Sequence, residues 1–231
     1  VSNDKSEPFC DTFIQFWSNI ANKIHECFST QPNNDAFSII KSASDIMNHL
    51  LNSATDSLLK PETTNLVQFF ISVLVIPNVE CQCIQMKRSI LSFFNKVLKY
   101  VRNEQRQKYI EWIRQNFLED LSQSFPQMFS TILESEYIGA LAALMNVFYT
   151  LIKQEISLEW FFSTDFVYEI LIPAARLTQN DLEEFESSPN QYLGLTICDI
   201  IEADDGKIEN DINNSIPRIV CANIMQLMIP Q

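Results

Sequence analysis

Pro61-Glu-Thr-Thr-Asn-Leu-Val-Gln-Phe-Phe-Ile-Ser-Val-Leu-Val-Ile76 is the stretch on which the fold class turns. A proline followed by an acid suits the first turn of a helix, where the missing N–H costs nothing and negative charge meets the positive end of the dipole. Beyond it, Leu66, Val67, Phe69, Phe70, Ile71, Val73, Leu74, Val75 and Ile76 are apolar on nearly every side. In isolation such a run reads either as a buried helix or as a buried strand. Its length and its neighbours favour helix.

On the amino-terminal side, Phe13, Phe16, Trp17, Ile20, Ile24 and Cys27 fall three and four apart, which puts them on one helical face. Pro32-Asn-Asn-Asp35 interrupts the pattern, and Ile39, Ile40, Ala43, Ile46, Met47, Leu50 and Leu51 resume it. On the carboxyl-terminal side, helices are expected at about 80–101, 103–119, 122–133, 135–154, 157–172, 190–203 and 212–229. Only three glycines occur, Gly139, Gly194 and Gly206, too few for the turns and phosphate loops of a βαβ or all-β chain. The expected fold is all-α. Amphipathic helices joined by short polar turns, in pairs of roughly 40 residues, carry the signature of a HEAT-type α-solenoid: a right-handed stack of antiparallel helix pairs. Residues 1–231 then form one stretch of about five pairs. The start at Val1 and the end at Pro230-Gln231, after an apolar helix, read as an excerpt from a longer solenoid.

Composition narrows the functions. Twenty-nine acidic against sixteen basic residues give a net charge of −13, which argues against direct nucleic-acid binding, because phosphate contacts draw their affinity from clustered Lys and Arg. The six cysteines, at 10, 27, 81, 83, 198 and 221, lie in apolar helical pattern and read as reduced thiols of an intracellular protein. No basic and apolar leader opens the chain and no apolar run nears the roughly 18 residues of a membrane span, so membrane insertion is not expected.

No motif points to catalysis. His25 and His49 sit on helical faces away from any Gly-x-Ser-x-Gly turn. Cys81-Gln-Cys83 has no second closely spaced ligand pair for zinc, and in 201–212 Ile201 and Ile212 occupy positions where a calcium loop needs oxygen. Neither a metal nor a cofactor is expected. Lys87, Arg88, Lys96, Lys99, Arg102, Arg106, Lys108 and Arg114 form a basic stretch that reads as solvated helix face. Opposed to it, ten acids and one base, Lys207, lie between Thr178 and Asp211. Such a field attracts a basic partner over distance, although the plainer reading is a solvated acidic connection.

Within that acidic part, Ile172-Pro173 followed by Asp181, Glu183, Glu184, Phe185, Glu186, Pro189 and Tyr192 resembles a join in the middle of importin-β superfamily transport receptors, especially the importin-seven and importin-eight branch and the exportin that recycles importin-α. Gln191 and Leu193-Gly194-Leu195 depart from that pattern. Met86-Lys-Arg-Ser-Ile-Leu-Ser-Phe-Phe-Asn-Lys-Val-Leu98 is similar to an earlier helix of the same receptors. The resemblance implies a non-enzymatic central segment of a karyopherin that carries protein cargo through the nuclear pore under Ran-GTP control. It also implies phenylalanine-glycine nucleoporins as partners of the full receptor, and residence in cytoplasm, nucleus and pore. Residues 178–190 would form an acidic inter-helix loop, with Asp181, Glu183, Glu184 and Glu186 contacting a partner. The alternative is a HEAT or armadillo-like scaffold of a regulatory assembly. A helical enzyme would need a catalytic constellation that the sequence does not display.

Overall fold

The computed structural model describes residues 8–9, 11–17, 19, 34–50, 60–76, 81–99, 111–112, 114–134, 137–156, 159–176, 179–189 and 216–228. Every regular element among them is helical, and no strand occurs among the described residues. The chain divides into two compact units, Val1–Ser135 and Glu136–Gln231.

The first unit holds a helical stretch over 11–17, then α1 (Asn34–Leu50), α2 (Pro61–Leu74), α3 (Cys81–Lys99), a π-helical segment (Arg114–Leu118) and α4 (Glu119–Glu134). Pro61 opens α2 as its sequence predicts, and Leu66, Val67, Phe69, Phe70, Ile71, Val73 and Leu74 are all buried. A helix apolar on most of its circumference must be covered on most of it. α2 accordingly touches α3, α4 and the π segment, while α1 lies along α3. Rings link these layers edge to face: Trp17 meets Phe69 at 6.3 Å and Phe70 meets Phe93 at 5.4 Å. Pro126 sits inside α4 at an exposed position and cannot supply the N–H of the i→i−4 bond there.

The second unit is built around α5 (Ile138–Lys153), buried at Leu144, Met145, Val147, Phe148, Leu151 and Ile152. α8 (Pro217–Met228) packs along it and also against α6 (Ile172–Ala175). The single helix expected over 157–172 is instead a 3₁₀ turn (Glu159–Phe162) and a π-helical segment (Phe166–Leu171) running into α6. Ser163 makes the break, because its hydroxyl accepts the Phe166 N–H at 3.1 Å and so caps a fresh helix start. Folding back this way lets Trp160, Phe161 and Phe166 close on Phe148, and every pair among the four rings is in contact, at 5.0 to 6.0 Å.

α5 ends in a Schellman turn. Ile156 N–H reaches the Leu151 carbonyl and Glu155 N–H the Ile152 carbonyl, each at 3.0 Å, which places Glu155 at a φ of 58°. Glycine takes that conformation without a Cβ clash, whereas Glu155 pays roughly 1 kcal/mol or more of strain. Glu155→Gly is therefore expected to raise stability by about 0.5 kcal/mol, the strain relieved less the extra backbone entropy, and Glu155→Val to lower it. Urea midpoints of the three proteins check this ordering.

Candidate functional site

Of the four acids singled out in the sequence, all lie in α7 (Gln179–Ser187), so the segment expected as an inter-helix loop is helical over most of its length. Glu183 and Glu186 are exposed and three apart, on one face, and Leu182 beside them is exposed as well. Gln179 Nε2 donates to Glu183 Oε1 at 3.3 Å across one turn. For Asp181 and Glu184 the structure describes the helical backbone only. Acids near the amino terminus of α7 complement its dipole, whereas Glu186 in the last turn opposes it. Phe185 is described only in its backbone, and Tyr192, the 201–212 turn, His25, Cys10, Cys27 and Cys198 lie outside the described residues.

Charge is concentrated in the second unit. Residues 136–231 hold fifteen acids and four bases, a net −11, which leaves −2 for residues 1–135. The boundary between the units thus coincides with a change of electrostatic character that acts well beyond contact distance.

The basic stretch of the first unit is not uniformly solvated. Arg88, Lys99 and Arg114 are exposed and Lys96 is half-buried, but Lys87 is 0% exposed. This corrects the reading of the run as a solvated face. Lys87 stands in the apolar stripe Cys83, Met86, Ile90, Leu91 and Phe94 of α3, and that spacing was the signal that its side chain turns inward. Its ammonium donates to the Ile76 carbonyl at 2.6 Å and to Thr131 Oγ1 of α4 at 3.3 Å. Gln127 Nε2, also on α4, donates to the Val75 carbonyl at 3.3 Å. The carbonyls left over at the end of α2 are therefore satisfied by side chains of the two helices that cover it, and a cation sits at the negative end of the dipole. Burial depresses the Lys87 ammonium to about 8, against a smaller opposing pull from the Cys83 thiol.

A second polar seam joins α1 to α3. Ser89 donates to Asp45 Oδ1, Lys41 donates to Asp45 Oδ2 at 2.8 Å, and the Ser44 and Ser89 hydroxyls lie 2.6 Å apart. Each hydroxyl has one proton. With Ser89 committed to the carboxylate, the single Ser44 proton has two acceptors in reach, the Ser89 hydroxyl and the Lys41 carbonyl at 2.8 Å one turn back. Lys96 donates to the Asn48 carbonyl further along the same seam, and burial depresses its ammonium. Burial by itself would raise the Asp45 carboxyl, but the hydrogen bonds from Lys41 and Ser89, with the charges of Lys41 and His49, outweigh it and hold it below the usual range. Cys83 and Cys221 are buried and reduced, and burial pushes the Cys221 thiol up to about 12. Among the described residues no group of His, Cys, Asp and Glu is arranged to hold a metal ion, and no helix is long and apolar enough to cross a membrane.

Comparison with family models, with curated proteins and with solved structures gives no match to this chain.

Two consequences are measurable. The native Lys87 ammonium has a lowered pKa, so below about pH 8 both folded and unfolded chains are protonated and the folded one bears the desolvation cost. Between about 8 and the ordinary lysine value of 10.5 the unfolded chain holds more proton, and stability rises with pH. The cost is on the order of 3 kcal/mol, from roughly 1.4 kcal/mol per pKa unit. Lys87→Met is expected to match the parent within about 1 kcal/mol at pH 7, since it removes a desolvated charge but orphans the Ile76 carbonyl. It should then fall behind by on the order of 3 kcal/mol at pH 10.5. Taking the difference between the two proteins cancels the opposite trend from Cys221, whose raised pKa stabilises below about 9.0 and ceases to as pH climbs toward 12. In the α1–α3 seam, Ser89→Ala should cost about 1 kcal/mol at neutral pH. Because the Asp45 pKa is lowered, its stabilisation is present above its ordinary value of 3.8 and is lost as pH falls through the native value, so the Ser89→Ala deficit shrinks there. Chemical denaturation at neutral and acidic pH reads it.

Proposed function

We propose that this chain is a segment of a nuclear transport receptor, a karyopherin, which binds protein cargo and moves it through the nuclear pore under Ran-GTP control. The observation that carries the reading is the order Ile172-Pro173, Asp181, Glu183, Glu184, Phe185, Glu186, Pro189, Tyr192, with its resemblance to the mid-receptor join of the importin-β superfamily. The helical architecture is compatible with it.

On this reading the helices belong to a right-handed HEAT-type solenoid, and the acids of α7 contribute part of a partner surface. Each repeat of a solenoid touches only its neighbours, so small rotations add into changes of curvature. Cargo and Ran-GTP would then act by stabilising different curvatures of the whole receptor, each shifting the population toward the form that it binds better. The receptor would pass between cytoplasm and nucleus and dwell at the nuclear envelope, docking on phenylalanine-glycine nucleoporins. It would be neither an enzyme nor a direct nucleic-acid binder.

The test uses the polypeptide in which this sequence occurs in cells. Saturable binding of Ran carrying a non-hydrolysable GTP analogue, much weaker binding of Ran-GDP, and capture by immobilised phenylalanine-glycine repeats are expected. Failure of both the Ran and the repeat binding removes the transport reading and leaves the regulatory scaffold in its place.

A further inference from the structure

The π-helical segment Phe166–Leu171 and α6 form one continuous helical stretch with two opposed faces. Phe166, Ile170, Leu171 and Ala174 are buried, and Phe166 belongs to the four-ring cluster. Tyr168 is 68% exposed and Ile172 38%, while Asp165 and Glu169 are exposed beside them. Tyr168 and Ile172 are four residues apart, and so are Asp165 and Glu169. In a π register, with each N–H bonded five residues back, side chains four to five apart stack into straight columns. That register is visible in the Ile172 N–H, which bonds the Val167 carbonyl, and Pro173, having no N–H, ends it. The result is an apolar column and an acidic column side by side on the outside of a helix whose other side is locked into the core. Arg176, exposed one turn past Ile172, closes the strip with the opposite charge.

A large aromatic residue and a branched aliphatic one adjacent on an outward helix face offer an apolar anchor of the kind found in binding hot spots. The surrounding field selects the partner. The unit that carries the strip has a net charge of −11, and both charges nearest the Tyr168 end are carboxylates. We propose that Tyr168 and Ile172 receive a basic amphipathic peptide segment of a protein partner. Its aliphatic side chains cover the apolar column and its lysines or arginines lie over Asp165 and Glu169, away from Arg176. The proposal rests on the reading of this chain as a partner-binding protein but not on transport, so loss of Ran and nucleoporin binding would leave it standing.

The probe is a synthetic lysine–leucine amphipathic helix peptide, with a glutamate–leucine peptide of identical apolar pattern as control, titrated into the full chain and followed by fluorescence anisotropy. Saturable binding of the lysine peptide that weakens with salt, and none of the glutamate peptide, is expected. Tyr168→Ser combined with Ile172→Ser leaves the charge untouched and should weaken binding about tenfold or more. Asp165→Asn combined with Glu169→Gln should weaken it and flatten the salt dependence. Circular dichroism of each variant establishes that it is folded, and since all four positions are exposed, either pair can carry the test. Lysine-peptide binding that is unaltered by the Tyr168/Ile172 pair would place the contact elsewhere on the acidic surface and overturn the proposal, as would equal binding of the glutamate peptide or no binding at all.

Discussion

A protonated lysine with no access to water is the constraint around which the first unit is organised. α2 is apolar over most of its circumference and is covered by α3 and α4, and the carbonyls of Val75 and Ile76 just past its end take donors from those two helices. Lys87 and Gln127 provide them from α3 and α4. The arrangement fixes register as well as proximity. Sliding α3 by one turn would carry the ammonium away from the Ile76 carbonyl into apolar surroundings, where an unpaired charge costs several kcal/mol. The Ser44–Ser89–Asp45 chain imposes the same kind of restriction between α1 and α3. Hydrophobic burial supplies the driving force in this unit, but it is non-directional, and these few polar contacts choose one packing among the many that would bury similar area.

The second unit achieves its specificity by shape instead. Phe148, Trp160, Phe161 and Phe166 are mutually in contact, which is possible only because Ser163 breaks the chain between the 3₁₀ turn and the π segment. The same π winding that aims Phe166 inward turns Tyr168 and Ile172 outward, so the core and the proposed contact strip are two sides of a single local geometry. Together with α7 this gives the unit an acidic exterior over a rigid apolar interior. Asp165, Glu169, Glu183 and Glu186 are the exposed carboxylates of the π-helical strip and of α7.

Much of the fold was legible in the sequence. The i, i+3, i+4 spacing places α1, α3 to α5 and α8 to within a few residues, whereas α2, apolar on nearly every side, is legible from its length, its neighbours and the Pro61-Glu62 start. What was not legible depended on contacts between distant residues. Lys87 reads as one cation in a basic run unless its place in the Cys83–Phe94 stripe is noticed, and even then nothing in sequence names Ile76 and Thr131 as its partners. The break at Ser163 was missed because apolar spacing continues through it. The acids of α7 are visible as a charge cluster, but the loop that the resemblance implies over 178–190 is a helix over Gln179–Ser187. Tyr168 with Ile172 and Asp165 with Glu169 are i, i+4 pairs that share a face in any helix, but which face turns outward depends on the distant contacts that bury Phe166.

The claim that a buried, hydrogen-bonded ammonium joins α2, α3 and α4 is tested most directly by titrating that ammonium itself. Heteronuclear NMR of isotope-labelled lysines, with the Lys87 resonance assigned by its absence in Lys87→Met, follows the side chain through its protonation. A midpoint near 8 is expected. A midpoint at the ordinary value of 10.5 would mean that water reaches the side chain, and would contradict the packing described for the first unit.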